Sequence, residues 1–209
     1  MTAMSKWIRR GTLPTVCLLA LAAAGCGDLV RQGHGPNLAM VTMLEASSGA
    51  DPGKFGGTLS SDVVTYVERT VSGNTVLIPT IFSDPGRATV SVEMKDPATS
   101  PTTVNTVTFS RYRVTYQRAD GRNTPGVDVP APFDSAVTFS ASPGNPGLAG
   151  FDLVRNAAKM EAPLIGLVSN QDLITVIATV TFYGQDHAGN DVAATGNIGI
   201  TFGNFGDPE

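Results

Sequence analysis

From residue 58 onward the apolar residues of this chain recur at every second position. Ala88, Val90, Val92 and Met94 alternate with Thr89, Ser91, Glu93 and Lys95, which sets one face against a core and the other in water, as in a half-buried strand. The period returns with Tyr112, Val114 and Tyr116 against Arg111, Arg113 and Thr115, and again with Phe133, Val137 and Phe139. Its longest run lies between Leu173 and Phe205. There Ile174, Val176, Ala178, Val180 and Phe182 alternate with polar or outward positions, and after a polar loop Val192, Ala194, Ile198, Ile200 and Phe202 resume the pattern. Clusters of Gly, Pro, Asn and Asp, such as "SDPGR", "KDPATSP", "ADGRNTPG" and "SASPGNPG", separate the runs and read as turns. The best helical stretch is "FDLVRNAAKM" at 151–160. Because Pro163 follows, we read it as a strand crossing between sheets rather than a short helix.

About eight strands over 58–205 with almost no helix predict an all-β chain, folded as one antiparallel β-sandwich with elaborated loops. Two small sandwiches divided near Pro97 to Pro101 are the alternative. One domain is preferred, because an N-terminal half of about 60 residues with few strands would be marginal by itself.

The two long runs near the C-terminus predict a hairpin closed by "GQDHAGND", with Gly184 and Gly189 free to adopt positive backbone angles and Asp186 and Asn190 bonding nearby amides. This hairpin resembles the last two strands of the immunoglobulin-like sandwiches of bacterial surface proteins, whose closing turn often carries a similar D-x-A-G-N pattern. The resemblance implies an immunoglobulin-like fold for 58–205 and no chemistry, since the motif is a turn. The cysteine pair and core tryptophan of antibody domains are missing, for the sole tryptophan is Trp7.

The N-terminus has a different pattern. Lys6, Arg9 and Arg10 precede an apolar run from Val16 to Ala24, the layout of a signal peptide, and the run is shorter than the roughly 20 residues that span a bilayer. Its end, Ala23-Ala24-Gly25-Cys26, resembles the lipobox of bacterial lipoproteins, with Ala23 where leucine is usual. The resemblance implies that residues 1–25 are removed and that Cys26 is acylated. The membrane then becomes a partner through that lipid, and the protein belongs to the cell envelope, in the outer membrane. Residues 26–57 are read as a lipid-anchored tether and extended N-terminal segment, in which His34 is a solvated linker residue, and 206–209 as a tail. Cys17 leaves with the leader, so no disulfide staples the mature domain and its core alone must hold it. Of the 14 basic residues, Lys6, Arg9 and Arg10 also leave; 11 remain against 18 acidic ones, a formal charge of −7. That sign excludes nucleic acid as a partner class.

Catalytic signals are few. Outside the tether the single histidine is His187; there is no G-x-S-x-G, no H-E-x-x-H, and "GADPGKF" at 49–55 is one residue short of a phosphate loop, with Phe55 where a hydroxyl would hold magnesium. The chain is therefore read as no enzyme, without a cofactor. Asp186, Asn190 and Asp191 form a candidate calcium site of oxygen ligands, against which stands the simpler reading that they shape their own turn. Asp120, Asn123, Asp128 and Asp134 mark a long loop. In "SRYRVTYQR" the alternation sends Tyr112 and Tyr116 to the core and Arg111 and Arg113 outward to pair with acidic strand neighbours; Arg118 and Arg122 complete the one dense basic patch. These readings converge on a non-catalytic envelope lipoprotein that uses loops or a strand edge to bind a protein partner in a surface assembly. A ligand-binding module for glycan or calcium is the alternative.

Overall fold

The period-two pattern becomes strand almost wherever it occurs in the computed structural model, which describes residues 35–205. The leader, Cys26, His34 and the tail 206–209 lie outside the described residues. The strands are β1 (Asn37–Ala46), β2 (Thr58–Asp62), β3 (Thr65–Val71), β4 (Asn74–Thr80), β5 (Asp84–Met94), β6 (Val107–Gln117), β7 (Phe133–Ala141), β8 (Gly147–Val154), β9 (Ile174–Asp186) and β10 (Asp191–Gly203). Helical structure among the described residues consists of the short helix α1 (Asn156–Lys159) and two 3-10 turns, Thr103–Asn105 and Leu164–Ser169.

Three sheets result. One has the order β1-β5-β8, the second β2-β10-β9-β6-β7, and β3 and β4 pair only with each other. Every pairing is antiparallel except that of β2 with β10, which is parallel. The fold is all-β, and the two larger sheets enclose one hydrophobic core. Phe182 on β9 sits at its centre, its ring 5.4 Å from Phe151, 5.5 Å from Phe139 and 6.2 Å from Tyr112. The β6 tyrosines are buried, as the alternation predicts. Their hydroxyls donate across the core to β8, Tyr112 to the Asp152 carbonyl at 3.1 Å and Tyr116 to the Leu153 carbonyl at 2.7 Å. Each buried phenol thus has a partner, without which it would be costly to place there. Burial raises the pKa of both hydroxyls.

The structure departs from the sequence reading in four places. Strand structure begins at Asn37 rather than 58, because β1 pairs along β5 and turns Ala39 and Ala46 into the core. The stretch 151–160 is not one strand: β8 ends at Val154 and the chain then forms α1. The turn into α1 carries Lys159 into a buried contact described below, a tertiary demand that Pro163, lying beyond the helix, does not oppose. Gly184 has no positive backbone angle. It stays in β9 because a Cβ there would lie 2.3 Å from the Thr108 carbonyl oxygen, so close approach to β6 is what excludes a side chain. The β3–β4 hairpin was not anticipated at all. Its turn residues Ser72 and Gly73 have φ of 52° and 83°, the paired positive angles of a type I′ turn.

Candidate functional site

The closing turn is a hydrogen-bonded knot around one buried carboxylate. Asp186 accepts bonds from the amides of Ala188 and Asn190 at 3.0 and 2.8 Å and from the Asn190 side chain at 2.9 Å. Its Oδ2 also accepts from Asn37 Nδ2 at 2.9 Å, and Asn37 Oδ1 in turn accepts from Asn105 at 3.1 Å. Asp186, Asn37 and Asn105 are all buried. The turn is therefore tied to the start of β1 and to the 3-10 turn before β6, partners whose sequence separation hides them from any local motif. Gly189, with φ of 83°, supplies the left-handed position. Of the candidate calcium ligands, Asp186 and Asn190 are brought together in this knot, whereas Asp191 accepts from Gln185 Nε2 at 2.8 Å. Asp186 spends its lone pairs on N–H donors. Among the described residues no group of three or more His, Cys, Asp or Glu is placed to hold a metal. His187 is exposed on the same turn.

The basic patch is spread over two acidic partners. Arg111 and Arg113, on the outer face of β6, both reach Asp134 of β7, at 2.6 and 2.8 Å. The Arg111 guanidinium also lies 4.1 Å from the centre of the Tyr183 ring. Arg118 and Arg122 converge on Asp120, and these two guanidiniums hold its carboxyl well below the usual range. Asn123 and Asp128 accept backbone amides of Arg118 and Thr124, so the residues marking the long loop fasten it. An open cleft of about 450 Å³ lies beside Arg118 and Arg122, floored by Leu167, Leu173 and Ile174.

Opposite the closing turn lie two linked features that the alternation of apolar positions does not signal. The first is the β3–β4 arm, in which no residue of either strand is buried. Tyr66, Val71, Val76, Leu77 and Ile78 are between 39 and 53% exposed, an apolar display that soluble proteins normally avoid unless it serves contact. The second is a buried ion pair at the root of that arm. Lys159 of α1, 1% exposed, donates to Asp84 Oδ1 at 2.9 Å and to the Asp62 carbonyl at 2.7 Å. Asp84 also accepts from Ser61 Oγ at 2.6 Å and from the Gly49 amide at 2.8 Å. Burial pushes the Asp84 carboxyl above its ordinary value, against the opposing pull of Lys159, Ser61 and Gly49. Asp62 ends β2 and Asp84 begins β5, so one lysine clamps the two chain segments between which the arm emerges.

That root lies at a definite pole. Gly203 at the end of β10 pairs with Asp62, whereas the start of β10 adjoins the turn bonded to Asn37. The arm therefore leaves the body at the end opposite to where the chain enters β1. The sequence signals for these features were weak: Ser72-Gly73 between two β-rich runs was the hint of a hairpin, and a lysine beside two alanines gave none of burial. No family model, curated protein or solved structure matches this chain.

Proposed function

We propose that this protein is a non-catalytic lipoprotein of the bacterial cell envelope, anchored in the outer membrane through Cys26, whose domain is an immunoglobulin-like sandwich serving as a protein-interaction module. The observation that carries this reading is the β3–β4 arm: apolar side chains on both faces, no cover among the described residues, and a root clamped by Lys159. A mobile apolar flap would be a liability, whereas one held on a rigid base is suited to recognition.

Strand order supports the immunoglobulin-like assignment. A three-stranded sheet β1-β5-β8 faces β2-β10-β9-β6-β7, with the early strand β2 parallel to the last strand β10, and the sheets enclose a shared core in the manner of such sandwiches. In this scheme Tyr112 fills the inter-sheet space with its ring and bonds the facing strand, the place a core tryptophan takes in antibody domains. The chain enters β1 at one pole and the arm leaves from the other, so a lipid at Cys26 leaves the arm at the end of the body away from the anchor. The glycan reading has less support, since the β6 aromatics point inward and no sheet face carries an exposed aromatic row among the described residues.

The test is cross-linking of intact envelopes carrying the full chain, followed by gentle solubilisation, comparing the native sequence with a Val76→Lys/Ile78→Lys variant. The native chain should run in a complex larger than the single chain, and the variant, of unchanged melting temperature, should run as the single chain. Complexes of equal size in both, or none in either, overturn the proposal.

A further inference from the structure

The arm carries information about what it binds, because the two edges of a two-stranded ribbon are not alike. In a hairpin with a two-residue type I′ turn the pair flanking the turn, here Val71 and Asn74, exchanges hydrogen bonds, and bonded and non-bonded pairs alternate from there. Along β4 the amides of Asn74, Val76 and Ile78 are thus used by β3, while those of Thr75 and Leu77 point to the open edge. Pro79 falls in the next outward position. It lacks an N–H, so the open edge of β4 offers donors at Thr75 and Leu77 and then stops.

This short edge is complementary to itself. Laid antiparallel against a second β4 about a twofold axis at Val76, Thr75 faces Leu77 of the other copy and exchanges both main-chain bonds with it. The symmetric pair does the same. Val76 meets Val76, Asn74 meets Ile78, and Pro79 lies beyond the paired residues where its missing donor is not needed. Every side chain of this seam is uncharged. The β3 edge is different: it carries Glu68 and Arg69, and charged residues on an edge guard against pairing. A β3–β3 pairing centred on Glu68 or on Arg69 would oppose like charges. In the β4 pairing both charged residues stay on the outer strands, and one face of the resulting four-stranded sheet gathers Val67, Val71, Val76 and Ile78 from each copy, with Arg69 beside Val76 at its outer margin.

We propose that the arm binds the arm of a second copy of this chain, β4 to β4, with the twofold axis at Val76. The proposal rests on the reading of the arm as an interaction element. A seam of this size is smaller than the roughly 1,000 Å² of a stable interface, so the pairing is weak by itself. Because the antiparallel seam sets the two bodies at opposite ends of the joined arms, copies anchored in one membrane pair with their long axes along it, where anchoring raises their local concentration.

Disulfide trapping in cells tests it. In the full chain produced with its own leader, Val76→Cys places two thiols across the axis at a Cα separation of about 4.5 Å, that of an opposed non-bonded pair, which a disulfide accepts. Mild oxidation should yield a cross-link of twice the chain mass. Thr70→Cys, on the β3 edge, should give at least tenfold less, and the chain without an added cysteine none. Adding Leu77→Pro to Val76→Cys removes the outward amide while sparing the bonds within the hairpin, and should lower the yield several-fold with protease resistance unchanged. Equal yields from Val76→Cys and Thr70→Cys, no doubled band from Val76→Cys, or insensitivity to Leu77→Pro overturns self-pairing. A Val76→Cys cross-link to a different protein also overturns it, while leaving the arm as an interaction element. If no disulfide cross-link forms and the Val76→Lys/Ile78→Lys variant leaves the extracted complex unchanged, the interaction reading fails as well.

Discussion

Phe182 and Asp186 stand four residues apart on β9, and each shows how a single side chain is fixed by partners far away in sequence. Phe182 is wholly buried among Tyr112, Phe139 and Phe151, so Phe182→Ala should destabilise the fold by about 3–5 kcal/mol. Thr181 faces outward and shares a hydroxyl contact with Thr195; its replacement by Ala should shift the urea midpoint far less. Equal midpoints for the two variants would mean that the register of β9 is wrong. Asp186 is more than a turn former. Removing its carboxylate strands the buried amide of Asn37, and the lost charge-assisted bonds make Asp186→Ala destabilising by about 2 kcal/mol or more. Gly189→Val opposes a φ of 83° and should lose about 1–3 kcal/mol. If the carboxylate serves this knot and no cation, millimolar calcium should leave the melting temperature of the native chain where it is. A calcium-dependent rise abolished by Asp186→Ala would instead make the turn a metal site.

At the scale of elements the arm and its clamp form a unit. Lys159→Met would leave Asp84 buried without its counter-charge, and breaking such a pair is typically worth about 3–5 kcal/mol. The double variant Asp84→Leu/Lys159→Met should recover much of that loss, since an apolar pair needs no compensation, and a denaturation series on the three chains decides the matter. The pH dependence has a definite sign. Burial raises Asp84 above its ordinary 3.8, so the folded chain binds this proton more readily than the unfolded one. The contribution of this group to stability therefore grows as pH falls from neutral through the raised value, and levels off below 3.8. Without Lys159 the carboxyl rises further, and Lys159→Met should regain stability on acidification from neutral pH more steeply than the native chain; a flat or opposite response would show the pair is not buried as described. Regular elements were legible in the sequence wherever one face is core and the other solvent, as in β5, β6, β9 and β10, because burial itself writes the period. The arm buries neither face and so writes none. Asp84 lies in "SDPGR", which reads as a turn, and nothing beside Lys159 in the sequence signals burial, because a buried ion pair is defined by two positions that only the folded topology brings together.

For the whole molecule the decisive relation is between the two poles. Asn37, where the chain enters β1, is bonded to the closing turn, and the arm emerges at the far end beside Asp62 and Asp84. About ten residues separate Cys26 from that entry point, enough to hold the body up to about 35 Å from a membrane surface when extended. No helix among the described residues is long and apolar enough to cross a membrane; under the proposed lipidation Cys26 would hold the protein at the membrane through acyl chains, each buried methylene contributing roughly 0.8 kcal/mol. The native chain should therefore partition into the detergent phase and the Cys26→Ser chain should lose that lipid-dependent partitioning, while Val76→Lys/Ile78→Lys, altering only the far pole, should partition as the native chain does. Mass spectrometry would settle the chemistry directly, since an acylated cysteine at the mature N-terminus carries the mass of its lipid and a free one does not. A free cysteine there would overturn the lipid anchor, and partitioning that follows the arm substitutions in place of Cys26 would show that the apolar arm is the membrane-binding element and that the two poles have the opposite roles.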